Sequence, residues 1–128
     1  MSRILVVDDF VDNLLFIKAL FESEEYTVDT ATSGFAAIDL VEELRPDVVL
    51  LDIFLSDMIG YTVVERIRQN PKLTETRIVL STASSVLDES EAMASGADVF
   101  LRKPFDSDHL LVIVKKLCAR NNDRQKIT

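Results

Sequence analysis

Four short apolar runs in this chain end on residues that could do chemistry. Arg3-Ile4-Leu5-Val6-Val7 gives way to Asp8-Asp9, and Val48-Val49-Leu50-Leu51 to Asp52. Ile78-Val79-Leu80-Ser81 leads into Thr82, and Val99-Phe100-Leu101-Arg102 into Lys103-Pro104. Carboxylates gathered at one place raise one another's pKa or recruit a cation. Oxygen ligands in a shallow, wet site suit a hard divalent ion, Mg2+ or Mn2+. Lys103 adds a point positive charge. A carboxylate, a divalent cation and an ammonium together suit a phosphoryl group, because the positive charges neutralise its oxygens while a carboxylate attacks in line. Such attack gives an aspartyl phosphate. Thr82 is then placed to donate a hydrogen bond to the attached group.

Each signal is weak alone. An acidic pair after a strand is commonly a helix cap, turns favour Asp, a single Thr is commonly structural and a single Lys solvated. Lys103-Pro104 says more, since an X-Pro bond can be cis and so aim the preceding side chain. The weight lies in the succession of acidic pair, Asp, hydroxyl and Lys-Pro, each at the end of an apolar run.

Those runs read as parallel strands. Val48 to Leu51 is apolar on both faces, as a central strand covered by helices must be, and Tyr26 to Ala31 reads as an edge strand. Between them, Leu14, Ile17 and Phe21 mark a first helix ending near Ser23. Ala37, Val41 and Leu44 mark a second, with Ser33 as its cap and Pro46 as its stop. Tyr61, Val64 and Ile67 mark a third, broken by Asn70-Pro71, after which a polar loop reaches Arg77. Ser85 followed by Asp88 resembles a capping box for a fourth helix, with Gly96 as its left-handed stop. Asp106 can cap a fifth, striped by Leu110, Ile113, Val114 and Leu117. Five strand–helix units with short links predict an α/β fold: a doubly wound, five-stranded parallel sheet in the order 2-1-3-4-5 with five helices. Ligands bind such sheets at the carboxyl edge. Residues 1–120 form the predicted domain, and the polar tail 121–128 is expected to be disordered.

Composition narrows the function. At 128 residues, 48% hydrophobic and 28% charged, the chain suits one globular domain. A net charge of −8 argues against nucleic acid, whose phosphates are held by clustered Lys and Arg, and against an anionic membrane surface. No apolar run approaches the roughly 18 residues of a spanning helix. The single Cys118 predicts a buried core thiol and a reducing, cytoplasmic setting.

The motifs Ile4-Leu5-Val6-Val7-Asp8-Asp9, Asp47-Val48-Val49-Leu50-Leu51-Asp52, Ser81-Thr82-Ala83 and Gly96-Ala97-Asp98 through Lys103-Pro104-Phe105 resemble a response-regulator receiver domain. The likeness is to the stand-alone chemotaxis type, with a flavodoxin-like fold, over roughly residues 2–120. It implies that Asp52 is phosphorylated and that Asp8, Asp9, Asp52 and the backbone carbonyl of Phe54 hold Mg2+. Thr82 and Lys103 would bind the phosphoryl oxygens, and Phe100 would be the aromatic switch residue. The donor histidine would belong to a sensor kinase or phosphotransfer protein, so His109 reads as an exposed or capping residue. The surface of helix 4, strand 5 and helix 5, near residues 86–119, would control a separate protein target, in a monomer or a weak dimer through that face. The domain would be a switch rather than an enzyme, assisting only its own phosphorylation and dephosphorylation.

Two departures from the family pattern matter. Ser56 stands where the family commonly has Pro, which frees the loop after Asp52. Phe54, opposite Ser84, would stand beside the attacking water's route, and partial occlusion predicts a long-lived phospho-form. Only eight residues follow Arg120, too few for an output module, and the starting Met with its immediate first strand favours a free-standing regulator, the alternative being a fragment of a hybrid kinase or phosphorelay protein. A flavodoxin would place a Ser/Thr/Gly-rich phosphate loop where Asp8-Asp9 stands. An Asp-nucleophile phosphohydrolase would carry a second Asp at position 54.

Overall fold

The apolar runs at Arg3–Val7, Val48–Asp52 and Arg77–Thr82 form strands buried on both faces, and Val99–Arg102 forms one that is only partly buried. A computed structural model describes the backbone of residues 2–127 and the side chains of residues 2–119. Strands β1 (Arg3–Val7), β2 (Thr27–Ala31), β3 (Val48–Asp52), β4 (Arg77–Thr82) and β5 (Val99–Arg102) alternate with five helices. These are α1 (Val11–Glu22), α2 (Gly34–Leu44), α3 (Gly60–Gln69), α4 (Glu89–Ala94) and α5 (Ser107–Ile127). All strand pairs are parallel, in the order β2-β1-β3-β4-β5 expected from the sequence.

Strand alternation divides the core in two. Leu5, Val7, Val49, Leu51, Ile78 and Leu80 pack with α2, α3 and α4 through Ala37, Val41, Val63, Val64, Ile67 and Ala92. Ile4, Val6, Val48, Leu50 and Val79 face α1 and α5, meeting Leu14, Ile17, Phe21, Leu110, Val114 and Leu117. Cys118 is buried there as a core residue. Helix α1 is apolar nearly all round, so Val11, Leu15 and Phe16 stay exposed on the side away from the sheet.

Side chains cap the starts of α2, α4 and α5. Ser33 Oγ accepts from Ala36 N at 3.1 Å at the start of α2, and Arg45, at φ 48°, closes it before Pro46. Asp106 Oδ1 accepts from Asp108 N at 3.0 Å as α5 begins. Gly96, at φ 113°, follows α4 in a conformation that favours glycine.

The start of α4 differs from the expectation. Its cap is Asp88, whose Oδ1 accepts from Ser90 N at 2.9 Å, and Ser85 lies in the preceding bent loop. Arg102 explains the delay. Its guanidinium binds the carbonyls of Ser84 and Leu87, and the Leu87 oxygen is one that a helix capped at Ser85 would use. The expected polar loop before Arg77 contains a 3-10 turn, Pro71–Leu73, that buries Leu73. The expected domain end at residue 120 falls inside α5, whose backbone runs on to Ile127 with no Gly or Pro to interrupt it. Side chains from residue 120 onward, and Thr128 entirely, lie outside the described residues, as does the expected disorder of the 121–128 tail.

The amino end of the sheet is held by ion pairs. Asp98 accepts from Arg68 Nη2 at 2.8 Å and from Ile78 N at 2.7 Å, with Arg77 Nη1 at 3.5 Å. Arg68 also donates to the carbonyls of Gly96 and Thr76, joining α3 to both segments that enter β4 and β5. Asp98→Ala removes the acceptor for several of these donors. It is expected to lower stability by about 2 kcal/mol, because the buried Ile78 amide loses its acceptor. Urea unfolding checks this, and an unchanged midpoint would contradict it.

Candidate functional site

Register builds the carboxyl edge. Val7 pairs with Leu51, so the next residues, Asp8 and Asp52, leave the sheet side by side. Thr82 pairs with Arg102, so Lys103 stands one residue further out on β5. Lys103 N donates to Thr82 O at 2.7 Å, extending that ladder, and the Lys103-Pro104 bond is cis. Helix α1 starts after Phe10, which has no capping side chain, so neither Asp8 nor Asp9 caps it. Asp8 instead accepts from Phe10 N at 2.9 Å and from Asn13 Nδ2 at 3.4 Å.

Four expected residues meet directly. One carboxylate oxygen from each of Asp8, Asp9 and Asp52 lies within 4.8 Å of the others. Lys103 Nζ is 2.9 Å from Asp8 Oδ2 and 3.5 Å from Asp52 Oδ2. Asp8 is buried, Asp52 is half-buried and Asp9 is exposed, so the cluster opens to solvent on one side.

Thr82 is fully buried at the same edge, where its Oγ1 accepts from Ser84 N at 3.0 Å. No hydrogen bond among the described residues joins it to the carboxylates. By strand alternation it follows Leu80 onto the face that carries Phe100, half-buried against that core. Phe54 N donates to Asp52 Oδ1 at 3.4 Å, while the Phe54 ring is about half exposed. His109 is exposed in the first turn of α5, whose cap is Asp106.

Three participants escaped the sequence reading. Asn13 reaches Asp8 from the first turn of α1, and its spacing five residues after Asp8 was the only available signal. Arg102 lies over the Phe100 ring, 5.1 Å from its centroid, while holding the β4–α4 loop. Asp57 binds the start of α2. Arg102 and Phe100 stand two apart on one strand face, but the contacts of Arg102 with Ser84 and of Asp57 with α2 join distant segments and leave no local pattern.

Charge dominates the edge. Two unit negative charges about 4.8 Å apart repel by about 3 kcal/mol at an effective dielectric constant of roughly 20. Burial pushes the Asp52 pKa up, Lys103 opposes that shift, and Asp8 adds to it. Three carboxylates with one side open to water fit a hard divalent cation that keeps part of its hydration shell. Because the folded-state pKa of Asp52 is raised, folding is opposed by its ionisation above that pKa, and the penalty fades as pH falls through it. Asp52→Asn is therefore expected to raise the metal-free midpoint of thermal unfolding by a few degrees at neutral pH and to lose that advantage in acid. Equal midpoints at neutral pH would contradict this.

Comparison with known proteins places this geometry. A family profile described as the response regulator receiver domain matches residues 4–115. The chain is 36% identical over 117 residues to the response regulator PleD of Caulobacter vibrioides, covering 91% of this chain and 26% of PleD. It thus spans about a quarter of that relative's length. A CheY-like response regulator receiver domain protein from Methanospirillum hungatei superposes with a TM-score of 0.87 at 27% identity, covering 97% of this chain and 98% of that one. The receiver domain of the sensor histidine kinase PA1611 from Pseudomonas aeruginosa superposes at 0.84 with 28% identity, covering 92% and 98%, and has a magnesium ion coordinated in its active site cleft. Receiver domains bind Mg2+ at an acidic pocket and act as phospho-accepting switches. By profile match and by fold, this chain belongs to the response-regulator receiver family.

Proposed function

We propose that Asp52 takes a phosphoryl group from a phosphohistidine on a sensor histidine kinase or phosphotransfer protein, and that the modification switches the α4–β5–α5 face toward an output partner. The observation that carries this reading is the meeting of Asp8, Asp9 and Asp52 within 4.8 Å, beside Lys103 Nζ. Asp8, Asp9, Asp52 and the Phe54 carbonyl would hold Mg2+, which supplies positive charge against the phosphoryl oxygens when bound.

Asp52 is suited to attack. Burial leaves its carboxylate poorly stabilised, and so more nucleophilic, while Lys103 keeps it ionised. One Asp52 oxygen forms a bond to phosphorus as the P–N bond to the donor imidazole breaks, and the bonding pair leaves with that nitrogen. Lys103 exchanges part of its contact with Asp8 for the new oxygens. Hydrolysis later reverses the modification: water attacks phosphorus and the carboxylate leaves. At position 54 a phenylalanine supplies no acid for repeated turnover on small esters, which favours a switch over a phosphohydrolase.

The added phosphoryl group brings close to two negative charges and strong acceptors. Thr82 would release Ser84 N to meet them, and Phe100, on the same face, would turn into the space behind it. Arg102, stacked on Phe100 and bound to the β4–α4 loop, supports movement of these parts together. A two-state repacking fits a close-packed core better than gradual deformation. The same face would carry any weak self-association. A cytoplasmic setting accords with the buried free thiol of Cys118.

Incubation with Mg2+ and acetyl phosphate is expected to add the mass of a single phosphoryl group to the wild-type protein and nothing to Asp52→Asn. A gain that survives the substitution would contradict the assignment. Phe54→Ala is expected to speed loss of the group several-fold by opening the water's path. First-order decay of equal rate in both proteins would remove Phe54 from that role.

A further inference from the structure

The segment after Asp52 must place the Phe54 carbonyl, yet the Phe54 ring is half exposed and its amide makes only a long contact to Asp52. No proline stiffens Ile53–Ile59. The feet of the loop are fixed. Gly60 N donates to Ile53 O, Phe54 and Ile59 form an antiparallel bridge, and a Cβ on Gly60 would come within 2.7 Å of Asp52 O.

The tip is tied elsewhere. Asp57 Oδ1 accepts from Gly34 N at 2.8 Å and Oδ2 from Phe35 N at 3.0 Å, joining the loop to the first turn of α2. Those two amides hold the Asp57 carboxyl below the usual carboxylate range. Beside them Met58 lies so close to Gly34 that a Cβ there would collide with its side chain. Ser33 serves the same helix end separately, through Ala36 N.

We propose that Asp57 is a positioning residue: by bridging the tip of the β3–α3 loop to the amides of Gly34 and Phe35, it fixes the Phe54 carbonyl for the divalent cation at the acidic edge. This rests on the reading that the edge binds Mg2+ and that Asp52 is phosphorylated. Asp57 touches neither the cation nor the phosphoryl group and acts only through Phe54. Its loss widens the carbonyl's range of positions and weakens metal binding, with Asp52 and Lys103 untouched.

The test is the Mg2+ dependence of labelling by acetyl phosphate, followed by intact mass in the full chain. Asp57→Ala is expected to raise the Mg2+ concentration for half-maximal rate several-fold, toward the roughly ten-fold effect of losing an outer-shell support. Its rate at saturating Mg2+ should match wild type. Asp57→Asn, whose amide oxygen still accepts one bond, should recover most of the affinity. Ser33→Ala, which weakens the same helix end without releasing the loop, should show the wild-type Mg2+ dependence. Amide hydrogen exchange across 54–59 without metal should quicken in Asp57→Ala and not in Ser33→Ala. If wild type is labelled and Asp57→Ala shows the same Mg2+ dependence, the positioning role is overturned alone. An equal loss of affinity in Ser33→Ala also overturns it, since a general effect of α2 would then suffice. A wild-type protein that takes up no phosphoryl group overturns the parent reading, while the exchange result still decides whether Asp57 holds the loop.

Discussion

Like charges forced together at one end of a sheet are the constraint on which the rest of this molecule turns. Asp8 and Asp52 leave adjacent strands at the same level because β1 and β3 are parallel and in register, and Asp9 completes the group. Repulsion of this kind is tolerated in a protein only where something offsets it. Lys103 offsets part, through contacts with two of the three carboxylates. What remains favours a bound cation, so an electrostatic penalty in the resting fold becomes a capacity for binding.

The two ends of the sheet divide the work. At the amino end, Asp98, Arg68 and Arg77 form ion pairs that satisfy backbone groups as well as one another. At the carboxyl end the strands stop in carboxylates held near one another, and adjacent loops are secured by Arg102 and Asp57. Strand alternation supplies the link between site and surface. Asp52 lies at the edge beside Lys103, while Thr82 and Phe100 lie toward α4. A change at the edge therefore has a short path through β4 and β5 to the opposite layer.

Much of this was legible in the chain. Apolar runs with an abrupt polar end marked β1, β3, β4 and β5, and the helical stripes marked the faces that α1 and α5 bury. Ser33 and Asp106 act over two or three residues, so their caps were visible locally. Ser85 misled for the same reason: the segment 84–90 is rich in Ser, Asp and Glu, all plausible openers, and the choice among them fell to Arg102 from another strand. In the site, residue types and their places at strand ends disclosed Asp8, Asp9, Asp52 and Lys103. Asn13 and Asp57 stayed hidden because their roles depend on where α1 and α2 begin in space, which short-range pattern does not specify.

The most direct measurement is thermal unfolding as a function of Mg2+ concentration, for wild type and for a protein carrying Asp8→Asn and Asp9→Asn together. A cation bound only by the folded state raises the midpoint with the logarithm of its concentration once sites begin to fill. The account predicts that rise in the wild type, and in the double variant a higher starting midpoint that Mg2+ leaves flat. Parallel curves, or a double variant that starts lower, would contradict the claim that mutual repulsion of these carboxylates is what the cation relieves.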